Sequence, residues 1–387
     1  MRTIGPMKTL FTTHPATSHL DPMLPLIREL IARGADVSVA APEPFGPSIR
    51  RRGLIAHAAG LPWLEASAVD AFPELETMPL DEQGLWWVTD IFAGRAGRRT
   101  ALDLVELCER EKPDVLVRDY WDFGAWAAGV ATGIPTAVVG LAVRAEESGM
   151  RSFIGTRLDA LLDAVGAPRD ESLASLYGGL YIDLVPGTYQ RGPVRDAVRM
   201  RTADRAVDPQ PLPWVRELPG PRVLVTFGTV FNTQARVFAD VISALADEPV
   251  SVVVTTGPGL DPGTLGPLPA NTRVVEFADY GRLMPDCDAV VCHAGFNTVL
   301  GALAHDLPVV GIPQSADQPV HASRCRDLGV GVDLGSSPQP EEIRDAVRRV
   351  LGDADVRAAV RRLGAEVCGM PAPAEAADAL ERLALRA

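Results

Sequence analysis

The sequence predicts an α/β protein made of two doubly wound domains, each a parallel sheet wrapped by helices. Three observations carry this. Short apolar runs alternate with amphipathic helical stretches along both halves, the pattern of repeated βαβ units. Those runs tend to end in polar turns bearing Gly, Pro, Ser or Asn. A proline-rich stretch, with five prolines between Pro209 and Pro221, parts the halves. At 387 residues the chain exceeds one ordinary core, which also favours two domains. The expected division is a first domain at 1–208, a stiff linker at 209–221, a second domain at 222–370 and a final helix at 371–387. That helix is expected to pack back toward the first domain. Met7 offers a second start, because residues 1–6 carry no structural pattern.

In the first half, residues 8–13 (KTLFTT) read as a strand running into the turn from His14 to Pro22. A helix follows over 22–33, with Leu24, Ile27, Leu30 and Ile31 spaced for one buried face. Pro22 suits its first turn and Gly34 its C-terminal cap. Strands follow at 37–41, 114–117 and 136–140, with a helix at 124–133. The strand at 114–117 ends at Arg118-Asp119. Residues 61–100 carry Trp63, Phe72, Trp86, Trp87 and Phe92, either as a packed helical hairpin or as a wall for an apolar ligand. Trp121 lies just past the strand that ends at Asp119 and joins Trp63, Trp86 and Trp87 as an acceptor-side candidate. The stretch 144–181 reads as polar and helical.

In the second half, strands are expected at 222–227, 251–256, 273–277, 289–292 and 308–312. Helices are expected at 234–246, 340–351, 354–366 and 373–385. The glycine group at 257–263 (GPGLDPG) has the wrong spacing for a dinucleotide fingerprint and reads as a loop. Residues 288–334 are the most informative. The strand at 289–292 ends in His293-Ala294-Gly295-Phe296-Asn297-Thr298, and a helix follows with Val299, Leu300 and Leu303 on one face. The run at 308–312 ends in a second polar turn, Gln314 to Gln318. In open parallel sheets ligands bind beyond the carboxyl ends of the strands. The amides of Asn297, Thr298 and Val299 at a helix N-terminus would favour an anion such as phosphate.

Composition narrows the function. A net charge of −13 argues against nucleic acid. Five cysteines without a CxxC pair suit a reducing cytoplasm and supply no disulfide or metal framework. No apolar run approaches the ~18 residues of a membrane span, and no signal peptide is visible. There is no P-loop, HExxH, GxSxG or metal-ligand spacing, so neither a metal nor a cofactor is expected. Chemistry then falls to single histidines and carboxylates. His14, His19 and His293 sit in strand-end turns, whereas His57, His305 and His321 read as surface or helix positions. Asp119 is placed to accept a hydrogen bond from His19, which would make the imidazole a better base. Capping a helix is its competing role.

Three stretches, SHLDPMLPLIRELIARG at 18–34, RVLVTFGTVFN at 222–232 and HAGxNT followed by PQxxDQ from 293, resemble the family 1 glycosyltransferases of GT-B fold. The resemblance spans nearly the whole chain and is nearest to the actinobacterial branch that glycosylates antibiotics and other natural products. It implies two Rossmann-like domains facing across a cleft. It further implies an inverting transfer of a sugar from a nucleotide sugar to a hydroxyl of a small hydrophobic acceptor. A dTDP-deoxysugar is favoured over UDP. His19 matches the general base and Asp119 the residue that orients it. Thr229 and His293 match contacts to the diphosphate, and Gly295, Asn297 and Thr298 match the turn that cradles it. Asp317 and Gln318 match the pair on the sugar hydroxyls, and Phe277 and Ala278 the contacts to the base. Ser18 stands where the family usually has glycine, and Asp279 and Tyr280 where it has proline and glutamine.

Two other classes fit the same architecture. A non-hydrolysing sugar-nucleotide epimerase would alter the sugar with no acceptor present. A non-catalytic nucleotide-sugar binding protein would keep the fold and lose the base, against which stand both His19 and Asp119. The expected partners are a nucleotide-sugar donor and a small aglycone. A homodimer is compatible with the sequence.

Overall fold

The computed structural model describes residues 6–194, 196–202, 212–228, 235–257 and 260–386. They fall into two compact units, Met1–Thr202 with Pro371–Ala387, and Ala203–Met370. Each is a parallel sheet with helices between its strands.

The first unit holds seven strands: β1 (Lys8–Thr12), β2 (Asp36–Ala41), β3 (Ile55–Ala58), β4 (Val115–Asp119), β5 (Thr136–Gly140), β6 (Leu180–Asp183) and β7 (Ala197–Arg199). Their spatial order is β3-β2-β1-β4-β5-β6-β7. Strand order therefore reverses between β1 and β4, the point where open α/β sheets bind ligands. Thr12 pairs with Arg118, so the two strands end at the same level and their following turns meet. The main helices of this unit are α1 (Leu24–Ala32), α2 (Ala96–Glu111), α3 (Phe123–Thr132) and α4 (Glu147–Ala164). In α1 the buried face is Leu24, Leu26, Ile27 and Leu30, while Ile31, expected inside, is 46% exposed. Gly34 has φ 87°, which suits glycine as the residue closing that helix.

The second unit has six strands: β8 (Arg222–Thr226), β9 (Ser251–Thr255), β10 (Thr272–Val275), β11 (Ala289–Cys292), β12 (Val309–Gly311) and β13 (Gly331–Asp333). Their order is β10-β9-β8-β11-β12-β13, with the reversal between β8 and β11. Thr226 pairs with Cys292 there. The helices are α5 (Ala235–Leu245), α6 (Phe296–Ala304), α7 (Gln318–Asp327), α8 (Pro340–Gly352) and α9 (Ala354–Cys368).

Several expectations are corrected. β3, β6, β7 and β13 were not foreseen, and β6 and the helix α4 divide a stretch read as wholly helical. Residues 212–221, expected as extended linker, instead carry a helical turn at Pro213–Arg216 with Val215 buried. The Arg273 guanidinium lies 4.9 Å from the Trp214 ring, so this turn packs onto the second unit. The rest of the expected linker lies outside the described residues. The last helix, α10 (Pro373–Ala384), belongs to the first unit. Arg33, just after α1, binds Asp378 at 2.5 Å, Glu381 at 3.2 Å and the Ala374 carbonyl at 3.0 Å. Among the described residues no helix is long and apolar enough to cross a membrane.

Candidate active site

The first half-site forms at the β1/β4 reversal. His14 lies in the turn after β1, His19 in the short helix Thr17–Leu20 that follows it (a stretch expected as turn), and β4 ends on Asp119. His19 Nδ1 lies 2.5 Å from Asp119 Oδ2. The other carboxylate oxygen, Oδ1, accepts the Trp121 N–H at 2.8 Å, so both oxygens of a fully buried carboxylate are engaged. Burial alone would push the Asp119 pKa up. The opposing charge and hydrogen bond of His19, with His14 and the Trp121 N–H, outweigh it and hold the carboxyl below its usual range. Asp119 is thus an anion facing an imidazole. The competing capping role belongs to Asp122, whose Oδ1 accepts the Ala125 N–H at 3.0 Å at the start of α3.

Arg118, to which the sequence reading gave no role, holds this loop in place. Its buried guanidinium donates to the carbonyls of Asp119 at 3.0 Å, Tyr120 at 2.9 Å and Leu176 at 2.5 Å. An arginine at the end of an apolar strand was the only available signal. His14 is buried beside the dyad, its ring 5.5 Å from that of His19 and stacked on Phe92 at 4.1 Å. Burial lowers its pKa, against the upward pull of Asp119 and Asp122. Burial thus favours the neutral form of His14.

The four tryptophans expected at the acceptor play unequal parts. Trp63 and Trp87 stack at 5.4 Å and are buried with Phe72, Leu75 and Ile91 in a local core. Trp86 lies on the side of that core where the Arg95 guanidinium sits 5.7 Å from its ring. Trp121 is half-buried, next to the dyad, with Phe92 6.5 Å from it. Phe92 bridges the dyad's surroundings and the tryptophan core, since it also stacks on Trp87 at 5.7 Å. The packing reading of 61–100 holds for Trp63, Phe72 and Trp87. Trp63 and Trp87 are packing, and Phe92 with His14 and Trp121 surrounds the dyad.

The second half-site forms at the β8/β11 reversal. His293 follows β11, and two glycines make room for its ring. A Cβ on Gly295 would fall 2.3 Å from His293 Nε2, and one on Gly228 would fall 2.9 Å from Cε1. Ala294, between His293 and Gly295, sits at φ 60°, a left-handed conformation that costs an L-residue roughly 1–2 kcal/mol. Strain of this kind concentrates at functional sites. His293 is buried, and its Nδ1 meets no hydrogen-bond partner. Burial drives its pKa down to about 4, with the Thr226 backbone and the Asp317 charge pulling it back only in part. The resting imidazole is neutral.

α6 begins at Phe296, and its cap residue Gly295 has no side chain to bond the first amides. The first helical bond is given by the Val299 N–H to the Gly295 carbonyl at 3.0 Å. The Val299 amide, expected to face an anion, is therefore engaged within the helix, and Phe296, Asn297 and Thr298 form its first turn. The dipole at that end of the helix favours an anion. The turn after β12 is fixed internally. Gln318 Oε1 accepts the N–H groups of Gln314 at 2.8 Å and Ser315 at 3.1 Å. Of the two expected sugar contacts, Asp317 keeps a partly exposed carboxylate, whereas the Gln318 carbonyl is already used. At the expected base contact Phe277 is 74% exposed and Ala278 buried. Tyr280 turns inward, its hydroxyl 2.5 Å from Thr226 Oγ1 and 3.3 Å from Thr255 Oγ1. It ties the ends of β8 and β9 together. Thr229 lies outside the described residues.

Two doubly wound parallel sheets in one chain, each with its polar groups gathered at the strand-order reversal, make up the GT-B architecture of glycosyltransferases. The solved structure of the calicheamicin glycosyltransferase CalG4 has that fold, with a TM-score of 0.81 at 23% identity, covering 100% of this chain and 99% of that one. Residues 239–383 match the family described as erythromycin biosynthesis protein CIII-like, C-terminal domain. 4'-Demethylrebeccamycin synthase of Lentzea aerocolonigenes is 31% identical, over 97% of this chain and 99% of its own. The TDP-daunosamine transferase DnrS of Streptomyces peucetius is 28% identical, over 98% and 97%. The chain belongs to the GT-B glycosyltransferases of family 1, in the actinobacterial antibiotic and natural-product branch.

Proposed function

We propose that the protein transfers a deoxysugar from a dTDP-sugar to a hydroxyl of a small, largely aromatic or polyketide acceptor, with inversion at the anomeric carbon. The observation that carries this reading is the 2.5 Å contact between His19 Nδ1 and the anionic Asp119. A carboxylate at Nδ1 fixes the proton there and leaves Nε2 with the lone pair a base needs. The acceptor oxygen loses its proton to Nε2 as it attacks the anomeric carbon. The bond to the diphosphate oxygen breaks in the same step, and the charge passes to the leaving group. In the second unit the dipole at the α6 N-terminus and the neutral His293, through an N–H, offer preorganised stabilisation where that charge develops. No metal is part of this scheme.

The surroundings of the dyad support the acceptor class. Phe92, His14 and Trp121 present flat rings beside His19, suited to a planar apolar molecule. For the donor, support comes from the TDP-sugar transferase among the relatives. A cytoplasmic setting is consistent with cysteines that are all free. Asp317 holds sugar hydroxyls in this scheme, and the exposed Phe277 offers a face to the base.

The test is a panel of dTDP- and UDP-sugars against a small library of aromatic and polyketide aglycones, scored by the mass of the product. The expected result is a glycosylated aglycone formed with dTDP-sugars in preference to UDP-sugars. A changed sugar in the acceptor-free control would point to an epimerase. Donor binding without any product across the panel would point to a binding protein.

A further inference from the structure

We propose that Gln190 is a positioning residue for the acceptor, fixing the loop at 141–146, between β5 and α4, as a wall of the acceptor site beside the dyad. The inference rests on the reading of the first unit as the acceptor half-site. β4 and β5 pair with Asp119 opposite Val139, so the chain leaving β5 emerges level with the dyad's carboxylate. In open α/β sheets that edge is the ligand crevice. The far end of the loop runs into α4, where Arg144, Glu146, Glu147, Ser148 and Arg151 help line a cavity of about 670 Å³.

Two consecutive amides of the loop are bound by side chains. The Arg144 N–H donates to Gln190 Oε1 at 2.9 Å, and the Ala145 N–H donates to the Tyr120 hydroxyl at 3.0 Å. Tyr120 directly follows Asp119, and Arg118 holds its carbonyl at 2.9 Å. One amide therefore ties the loop to the turn that carries the dyad. The other ties it to the end of β6 through Gln190, whose Nε2–H donates to Asp183 Oδ1 at 3.0 Å. Asp183 pairs with Gly140 across β5 and β6, so the anchor stands where the loop begins. Gln190 and Asp183 are both buried.

A loop that had to order itself when the acceptor arrived would cost affinity. Glutamine orders it beforehand, accepting the Arg144 N–H with its oxygen and donating to the Asp183 carboxylate with its nitrogen. Leucine is of similar size and can do neither. Glutamate keeps the accepting oxygen but faces Asp183 as a second carboxylate. Burial raises the Asp183 pKa to about 6, against the pull of Gln190, Val185, Arg199 and Arg144, and Tyr181 is the other titratable group beside it. A proton shared between two carboxyls restores the donor that glutamine supplies.

The test measures acceptor affinity by calorimetry for the full chain as wild type, Gln190→Leu and Gln190→Glu. The probes are alizarin, a planar phenol, and any aglycone of the panel above that gives product. Turnover gives the acceptor KM and kcat, and affinity for dTDP and the melting temperature are the controls. For Gln190→Leu the expected result is an acceptor affinity and KM weaker by about tenfold, the size of one lost hydrogen bond whose partner is left unpaired. Its kcat and dTDP affinity should stay near wild type. Gln190→Glu should match that loss at about pH 8 and recover most of it by about pH 6, relative to wild type at the same pH. If Gln190→Leu does not fold, the pH comparison on Gln190→Glu decides alone. A loss shared by dTDP in a folded variant, a fall confined to kcat, or a Gln190→Glu that does not recover would overturn the proposal. A wild-type protein that binds none of the probes would sink the acceptor half-site reading itself. If wild type and Gln190→Leu bind equally well, that reading stands and only the role of Gln190 fails.

Discussion

Replacing His19 with alanine is expected to cut turnover by about 10²–10⁴-fold, the usual worth of a positioned general base. Affinity for dTDP and dTDP-sugar should not change, because His19 belongs to the first unit and the donor groups to the second. Calorimetry beside a turnover assay reads both quantities. Asp119→Asn should show a related loss with the fold intact. An amide in place of the carboxylate can present N–H to Nδ1, which moves the imidazole proton to Nε2 and removes the base's lone pair. It also loses the anion that stabilises the imidazolium formed during transfer. Near-normal turnover in His19→Ala would remove His19 from the mechanism.

His293→Ala is expected to behave differently, lowering turnover by roughly 10²–10³-fold and weakening bare dTDP as well. The loss falls on the leaving diphosphate, which both ligands carry. Resting His293 is neutral, with its pKa near 4, because its ring is buried between Gly228 and Gly295. The sign of the linked stability follows. In the unfolded chain the imidazole binds a proton below about 6.5, whereas in the folded one it does so only near 4. This contribution to stability is therefore complete above about pH 6.5 and is lost as pH falls toward 4, on the order of 3 kcal/mol over that window. His293→Gln, which does not titrate, should flatten the fall in melting temperature across the same interval. An unchanged slope would mean that the burial of His293 does not contribute in this way.

Much of this was legible in the sequence because βαβ units write themselves as apolar runs followed by polar turns. The strands flanking each reversal, β1 with β4 and β8 with β11, were all found, and with them His19, Asp119 and His293. What was missed was short, peripheral or dependent on distant contacts. β7 and β13 are three residues each, and β3 has no fully buried residue, so none carries a clear apolar run. β6 is fully buried but only four residues long and follows two glycines. In α1 the inward face took Leu26 rather than Ile31, a rotation that spacing over nine residues does not resolve.

Within the candidate site the same limit applies. Arg118 matters through carbonyls that only folding brings near it. Likewise, nothing local in the sequence told Trp63 and Trp87, which fill a core, from Trp121, which stands beside the dyad.

The proposed single displacement, with His19 as base, would fix the stereochemistry of the product, so the most direct measurement is the anomeric configuration of the glycoside formed by the wild-type protein. NMR of the purified product should show the configuration opposite to that of the sugar in the donor. Retention would require a second displacement or attack from the face of the leaving group, and would contradict a mechanism built on His19 and Asp119.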